Sequence, residues 1–235
     1  MTLAVEIALD ADAGGFTLDV AFEVPPGVTV LFGPSGAGKS RTLGAIAGLV
    51  RPARGRIALD AETWFDAGAA TDVPIHRRRI GYVFQSLALF PHLTAAENVA
   101  YGIGREVPRK ERRARAIEML DRMRVGSLAE RLPRTFSGGE AQRVALARAF
   151  ARGPRLVLLD EPFGALDAAV KDELFEEVRA ELRRTGVPTI LVTHQRDEAE
   201  RLGDRVVFLA AGRVTRASTI AQAFDATLAG APRAP

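Results

Sequence analysis

Gly33-Pro34-Ser35-Gly36-Ala37-Gly38-Lys39-Ser40 is the stretch on which the reading of this chain turns. It lies between a short apolar run, Val28–Phe32, and a segment with helical spacing from about Lys39 to Leu49, where Arg51-Pro52 predicts a stop. A buried strand feeding a glycine loop and then a helix is an α/β arrangement. Glycines let successive backbone N–H groups converge on phosphate oxygens, and the helix N-terminus adds partial positive charge. The stretch fits G-x-x-x-x-G-K-[ST], which assigns Lys39 to the β- and γ-phosphates of a nucleotide and the Ser40 hydroxyl to Mg²⁺.

Two further segments bear on the same chemistry. Leu156–Leu159 is an apolar strand ending in Asp160 and Glu161. Alone it reads as a polar strand end before Pro162. Downstream of a phosphate loop it places Asp160 to hold Mg²⁺ through water and Glu161 to accept a proton from an attacking water. Thr135–Arg143 precedes a helix, and Ser137 with Glu140 spells a capping box, S-x-x-E. Capping does not explain the consecutive glycines Gly138 and Gly139. These let an anionic group approach the backbone at a helix N-terminus.

Working outward, Leu3–Leu9 and Phe16–Phe22 alternate as strands before a turn at Pro25-Pro26-Gly27, and Ile57–Leu59 and Ile80–Phe84 add short strands. From about Ala95 to Arg152 the pattern is helical, with helices expected over Arg109–Arg124 and Gly138–Arg152. Strands return at Leu156–Leu159, Thr189–Thr193 and Val206–Leu209, with a helix at about Ala168–Arg184. This predicts an α/β core over about 1–85 and 156–219, a helical subdomain inserted at about 86–155, and an Ala-rich tail, 220–235, that is either a weak helix or unstructured.

Composition bounds the function. At 235 residues, 47% hydrophobic, the chain can bury a full core. With no Cys, disulfides, Cys-ligated zinc, iron–sulfur clusters and thiol catalysis are excluded. No apolar run reaches the roughly 20 residues that span a bilayer, and the opening MTLAVEIALDADAGG shows no secretory signal. A cytoplasmic chain is expected, with any membrane role coming through a partner. The net charge of +3 is spread along the chain, so no nucleic-acid partner is expected. The basic run from Arg109 to Arg115 reads as a solvated helix face, or else as a partner or phosphate surface.

Thr135–Arg143 resembles the signature motif of ABC-type ATPases, with Phe136 in place of the usual Leu. The resemblance covers nearly the whole chain and implies a P-loop NTPase fold of ABC type, with a mostly parallel core and an antiparallel N-terminal part. It implies that Gln85 senses Mg²⁺ and the attacking water and that His194 sits at the γ-phosphate. Ala165-Leu166-Asp167 is similar to the D-loop, with Asp167 crossing a dimer interface, and Ser137, Gly138, Gly139 and Glu140 contact nucleotide held by the second subunit. The implied ligands are ATP and Mg²⁺. Arg41 departs from the family, where Thr or Ser commonly follows the loop and contacts the α-phosphate. Phe16 is the candidate to stack on adenine, or else a core aromatic.

Arg77–Gln85, continuing through Leu89-Phe90-Pro91-His92-Leu93-Thr94 to Asn98, is similar to the ATPase subunit of molybdate importers, as are Gly48–Pro52 and Gly55–Ile57. Sulfate, ferric iron and polyamine importers share part of the pattern. The resemblance implies an ATP-dependent homodimer on the inner face of the cell membrane, bound to permease subunits and through them to a substrate-binding protein. Ser86–Thr94 would be the permease-docking surface, with Leu87, Leu89, Phe90 and Leu93 either meeting the partner or filling the subdomain core. That subfamily usually adds a C-terminal oxyanion-binding domain where this sequence stops, so either a short form or a piece of a longer chain is expected. A soluble ABC ATPase and a small-molecule P-loop kinase are the competing readings. The first usually carries two cassettes or a long insertion, and the second leaves the signature unexplained.

Overall fold

Strand β3, Gly27–Phe32, is apolar along both faces and buried through its centre, so it needs cover on each side. β8, Leu156–Asp160, and β9, Pro188–Thr193, are buried at every position. The three lie side by side with β9 in the middle, flanked by β10, Arg205–Ala210, against β3 and β7, Ile80–Val83, against β8. All these pairings are parallel. The computed structural model in which they are seen describes residues 1–11, 14–104, 106–164 and 166–224, without the side chains of 168 and 169.

The strands divide two cores between them. Val30, Leu159 and Leu191 face one layer with Val157, and their neighbours Leu31, Leu158, Ile190 and Val192 face the other. On the first side lie the helical insertion and α6, Ala168–Thr185; on the second lies α1, Lys39–Ala47. β1, Leu3–Leu9, and β2, Leu18–Val24, alternate buried with exposed positions for much of their length, as antiparallel strands with one wet face do. With β4, Arg54–Leu59, β5, Glu62–Asp66, and β6, Thr71–Asp72, they extend the same sheet to eleven described strands; β11, Arg213–Thr219, joins this half to β10.

The insertion enters after β7 and leaves before β8. It consists of α3, Ala95–Gly102, α4, Arg109–Arg122, and α5, Gly138–Ala151, packed on one another around Val99, Leu120, Leu146 and Phe150. α2, Ile75–Arg78, is a single turn ahead of β7, and α7, Arg196–Leu202, and α8, Ile220–Phe224, pack on the same core as α6. Among the described residues no helix is long and apolar enough to cross a membrane.

Several expected boundaries move. β2 begins at Leu18, leaving Phe16 outside the strand, and β7 stops one residue before Phe84. α1 ends at Ala47, short of Leu49, because Gly48 takes φ 83° and returns its N–H to Ala45 O. α4 closes at Arg122, since Arg124 turns to φ 55°. Strands β5, β6 and β11 have no counterpart in the sequence reading. Of the tail, Ile220–Phe224 is helical, and residues 225–235 lie outside the described residues.

Candidate functional site

The strand order places four loops in a row at one end of the parallel strands, where α/β sheets bind ligands. Reading across, β3 leads to the glycine loop, β9 to His194, β8 to Glu161 and β7 to Gln85. Residues separated by well over a hundred positions become neighbours because their strands do.

Gly38 caps α1 at φ 102°, and a Cβ there would lie 2.6 Å from Leu18 Cδ1, so both conformation and space call for glycine. Lys39 is buried and folds back over the loop, its Nζ donating to Gly33 O at 2.8 Å and Pro34 O at 2.9 Å. The first turn of α1 holds no acidic residue, which leaves the partial positive charge of the helix end uncompensated. Ser40 Oγ donates to Asp160 Oδ1 at 3.0 Å. Burial pushes the Asp160 carboxyl above the usual carboxylate range; the Ser40 hydrogen bond opposes this, the adjacent Glu161 charge adds to it, and Lys39 again opposes it.

Glu161 is held in the left-handed region at φ 46°, uncommon for a non-glycine residue, with its N–H on Val192 O at 3.0 Å. Gln85 Nε2 donates to its Oε2 at 3.2 Å, and His194 Nδ1 lies 3.1 Å from its Oε1. The three candidates Gln85, Glu161 and His194 therefore form one cluster, although two of them come from loops on either side of the third. Glu161 and Gln85 line an open cleft of about 540 Å³ with Gly14, Phe16, Ser35, Gly36, Gly38, Lys39, Ser40 and Arg41.

This donor set suits Mg²⁺ bound together with a nucleotide. Ser40 Oγ and Asp160 Oδ1 are hard oxygen donors already in contact, and among the described residues no cluster of three His, Cys, Asp or Glu could hold a metal alone. Such an ion would draw its other ligands from phosphate oxygens and water, which is how Mg²⁺ is usually held.

Phe16 is half-buried, packs against the α1-side core and also lines the cleft. The Arg41 guanidinium stands 5.5 Å from its ring centroid. Ser137 and Glu140 make the expected capping box: Ser137 Oγ accepts from Glu140 N at 3.2 Å and Ser137 N donates to Glu140 Oε2 at 2.7 Å. Gly139 is explained by packing, because a Cβ there would meet Val170 Cγ1 at 2.7 Å. Gly138 is not: its Cβ would enter open space. None of these four residues is among those lining the phosphate cleft. Asp167 is the N-cap of α6 and makes no side-chain cap bond, while Ala165 lies outside the described residues.

A second, apolar cleft of about 390 Å³ opens between the sheet edge and the insertion, lined by Leu49, Ile75, Tyr82, Phe84, Ala88, Phe90, Tyr101 and Arg148 among others. Tyr101 is 62% exposed, and Leu49 and Ile75 are about half exposed. Of the four apolar residues expected here, Phe90 lines the cleft, whereas Leu87 and Leu89 pack against the insertion core. Asn98 fixes the loop by accepting from Phe90 N and donating to the carbonyls of Phe90, Leu93 and Thr94. Leu49, Ile75 and Tyr101 were not found by sequence reasoning, because they sit on three separate elements and converge only in the fold.

The pattern of the ABC transporter family matches residues 18–164. The chain belongs to the ABC transporter family. Among curated relatives in that family, the molybdenum import ATP-binding protein ModC of Rhodospirillum rubrum is 44% identical over 201 residues, 86% of this chain and 54% of the relative. The molybdate/tungstate import ATP-binding protein WtpC of Archaeoglobus fulgidus is 43% identical over 222 residues, 94% of this chain and 90% of the relative. The chain thus spans about half the length of the ModC relative. Among solved structures of ABC cassettes, the dimeric structure of MJ0796, a bacterial ABC transporter cassette, aligns with TM-score 0.79 at 31% identity, covering 94% of this chain and 99% of that one.

Proposed function

We propose that this chain is the ATP-hydrolysing subunit of an ABC importer for molybdate. The observation that carries the hydrolytic part is the Glu161 carboxylate held between Gln85 and His194, beside the Ser40–Asp160 pair and facing the glycine loop. Gly33 to Ser40 cradle the phosphates of ATP, with Lys39 exchanging its two loop carbonyls for β- and γ-phosphate oxygens. Ser40, Asp160 and Gln85 serve Mg²⁺. Glu161 takes a proton from the attacking water, with His194 at the γ-phosphate. Phe16 and Arg41 take the base and α-phosphate side of the cleft. Two chains close head to tail, so that Ser137, Gly138, Gly139, Glu140 and Asp167 of each meet the nucleotide of the other; that a similar cassette is dimeric supports the pairing of two chains.

The apolar cleft suits a helix of a membrane permease, which would hold the chain on the inner face of the cell membrane and link it indirectly to a substrate-binding protein. Molybdate is favoured by the names of the relatives, and nothing in this subunit need touch the transported ion.

Glu161→Gln tests the hydrolytic reading. It should retain ATP affinity, slow hydrolysis by about 10²-fold or more, and accumulate an ATP-bound dimer in sizing experiments without Mg²⁺. Hydrolysis near the wild-type rate would place the base elsewhere. Reconstituted with its permease and binding protein, the complex should hydrolyse ATP faster with molybdate than with sulfate; the opposite preference would reassign the substrate.

A further inference from the structure

His194 is half exposed, so packing does little to fix its ring; the residues on either side of it are held instead. Thr193, buried at the end of β9, donates its hydroxyl to Glu198 Oε2 and accepts from Gln195 N at 3.0 Å. Glu198 lies in the first turn of α7 and is 1% exposed. Its other oxygen, Oε1, stands 2.7 Å from Lys171 Nζ as an ion pair. The same Nζ donates to Gln195 Oε1 at 2.7 Å. Lys171 belongs to the first turn of α6, with its N–H on Asp167 O at 2.9 Å. One ammonium therefore touches Gln195, which follows His194, and balances Glu198, which holds Thr193, which precedes it. A buried carboxylate that loses its counter-charge is strongly disfavoured, so the ion pair with Lys171 favours this arrangement of the cluster.

We propose that Lys171 is a positioning residue for His194: from the N-terminal turn of α6 it clamps the residues on both sides of that histidine and so sets where its Nδ1 stands relative to the Glu161 carboxylate. The clamp rests on the hydrolytic site proposed above. It ties the loop carrying His194 to the helix that begins at Asp167, so a movement of that helix start is carried to the histidine by a charged contact rather than by loose packing.

The test measures kcat, KM and ATP affinity of the full chain for Lys171→Met, Lys171→Arg and Gln195→Leu, each alone and combined with His194→Ala. Lys171→Met should lower kcat by about tenfold with ATP affinity unchanged, and Lys171→Arg should recover most of the loss. In the His194→Ala background Lys171→Met should add less than about a twofold further loss, because residues acting through one another are not additive. Gln195→Leu keeps the buried ion pair and removes only the bond beside His194. It should show a smaller kcat loss with the same non-additivity, and it carries the test if Lys171→Met does not fold. Equal losses in both backgrounds, or a loss in ATP affinity with kcat intact, would make Lys171 a structural brace and overturn the clamp alone. A His194→Ala protein with wild-type kcat would instead overturn the site reading beneath it.

Discussion

Asp160 is a buried carboxylate beside the cleft. Burial raises its pKa, so the folded chain holds that proton more tightly than the unfolded chain, where an aspartate titrates near about 3.9. Its proton-linked contribution favours folding at acid pH and is lost as pH rises through the folded value. Asp160→Asn, without nucleotide or metal, should therefore melt at a higher temperature than wild type near neutrality, with the gap narrowing as pH falls toward the unfolded pKa. A lower melting temperature at neutral pH would show that the Ser40 and Lys39 contacts outweigh burial. Lys39, Ser40, Asp160 and Glu161 were legible in the sequence because each sits at a fixed offset from a buried strand. Gln85 and His194 were legible only through a family resemblance. Lys171 was not legible at all: a lysine on an amphipathic helix reads as solvated, and only the packing of α7 beside α6 encloses it.

Among the elements, α1 is held at both ends. Its start is the glycine loop; its end is tied by Arg78, which is 1% exposed. That guanidinium donates to Ile46 O at 2.8 Å and Ala45 O at 3.3 Å, to Val73 O at 2.9 Å, and pairs with Asp72 at 3.1 Å. A cation against the final carbonyls complements the negative end of the helix dipole. Arg78→Met should cost about 2–3 kcal/mol in urea unfolding of the nucleotide-free chain, the scale of charged hydrogen bonds lost from buried carbonyls, and Arg78→Lys should restore little because the fork geometry is gone. A loss below about 0.5 kcal/mol would show that water replaces these bonds freely. Strands buried on both faces, such as β8 and β9, were plain in the sequence as continuous apolar runs. β11 was hidden because Arg213–Thr219 is mostly exposed and polar, and β5 because its two large buried residues, Trp64 and Phe65, are adjacent rather than alternating.

At the level of the whole molecule, Gly138 is a glycine that this chain's own packing leaves unexplained. Its φ is not positive and its Cβ would meet nothing, so Gly138→Asp should fold and bind ATP as a monomer. In the proposed head-to-tail dimer it would set a like charge against the γ-phosphate and abolish hydrolysis, and mixing it with Lys39→Ala should restore at most one composite site. Full activity of Gly138→Asp alone would remove the second subunit from the reaction. The order of motifs along the sequence laid out the core and the insertion, but no single chain can display which surface meets its copy. The insertion is joined to the sheet by two neighbouring strands, β7 on entry and β8 on exit, paired from Ile80 opposite Leu156. Gln85 follows the first attachment by two residues, and Asp160 ends the second. Mechanically, the insertion hangs from the sheet edge by two unequal attachments: a push at the apolar cleft on its flank would reach Gln85 through two residues of chain, and Asp160 only along the length of β8.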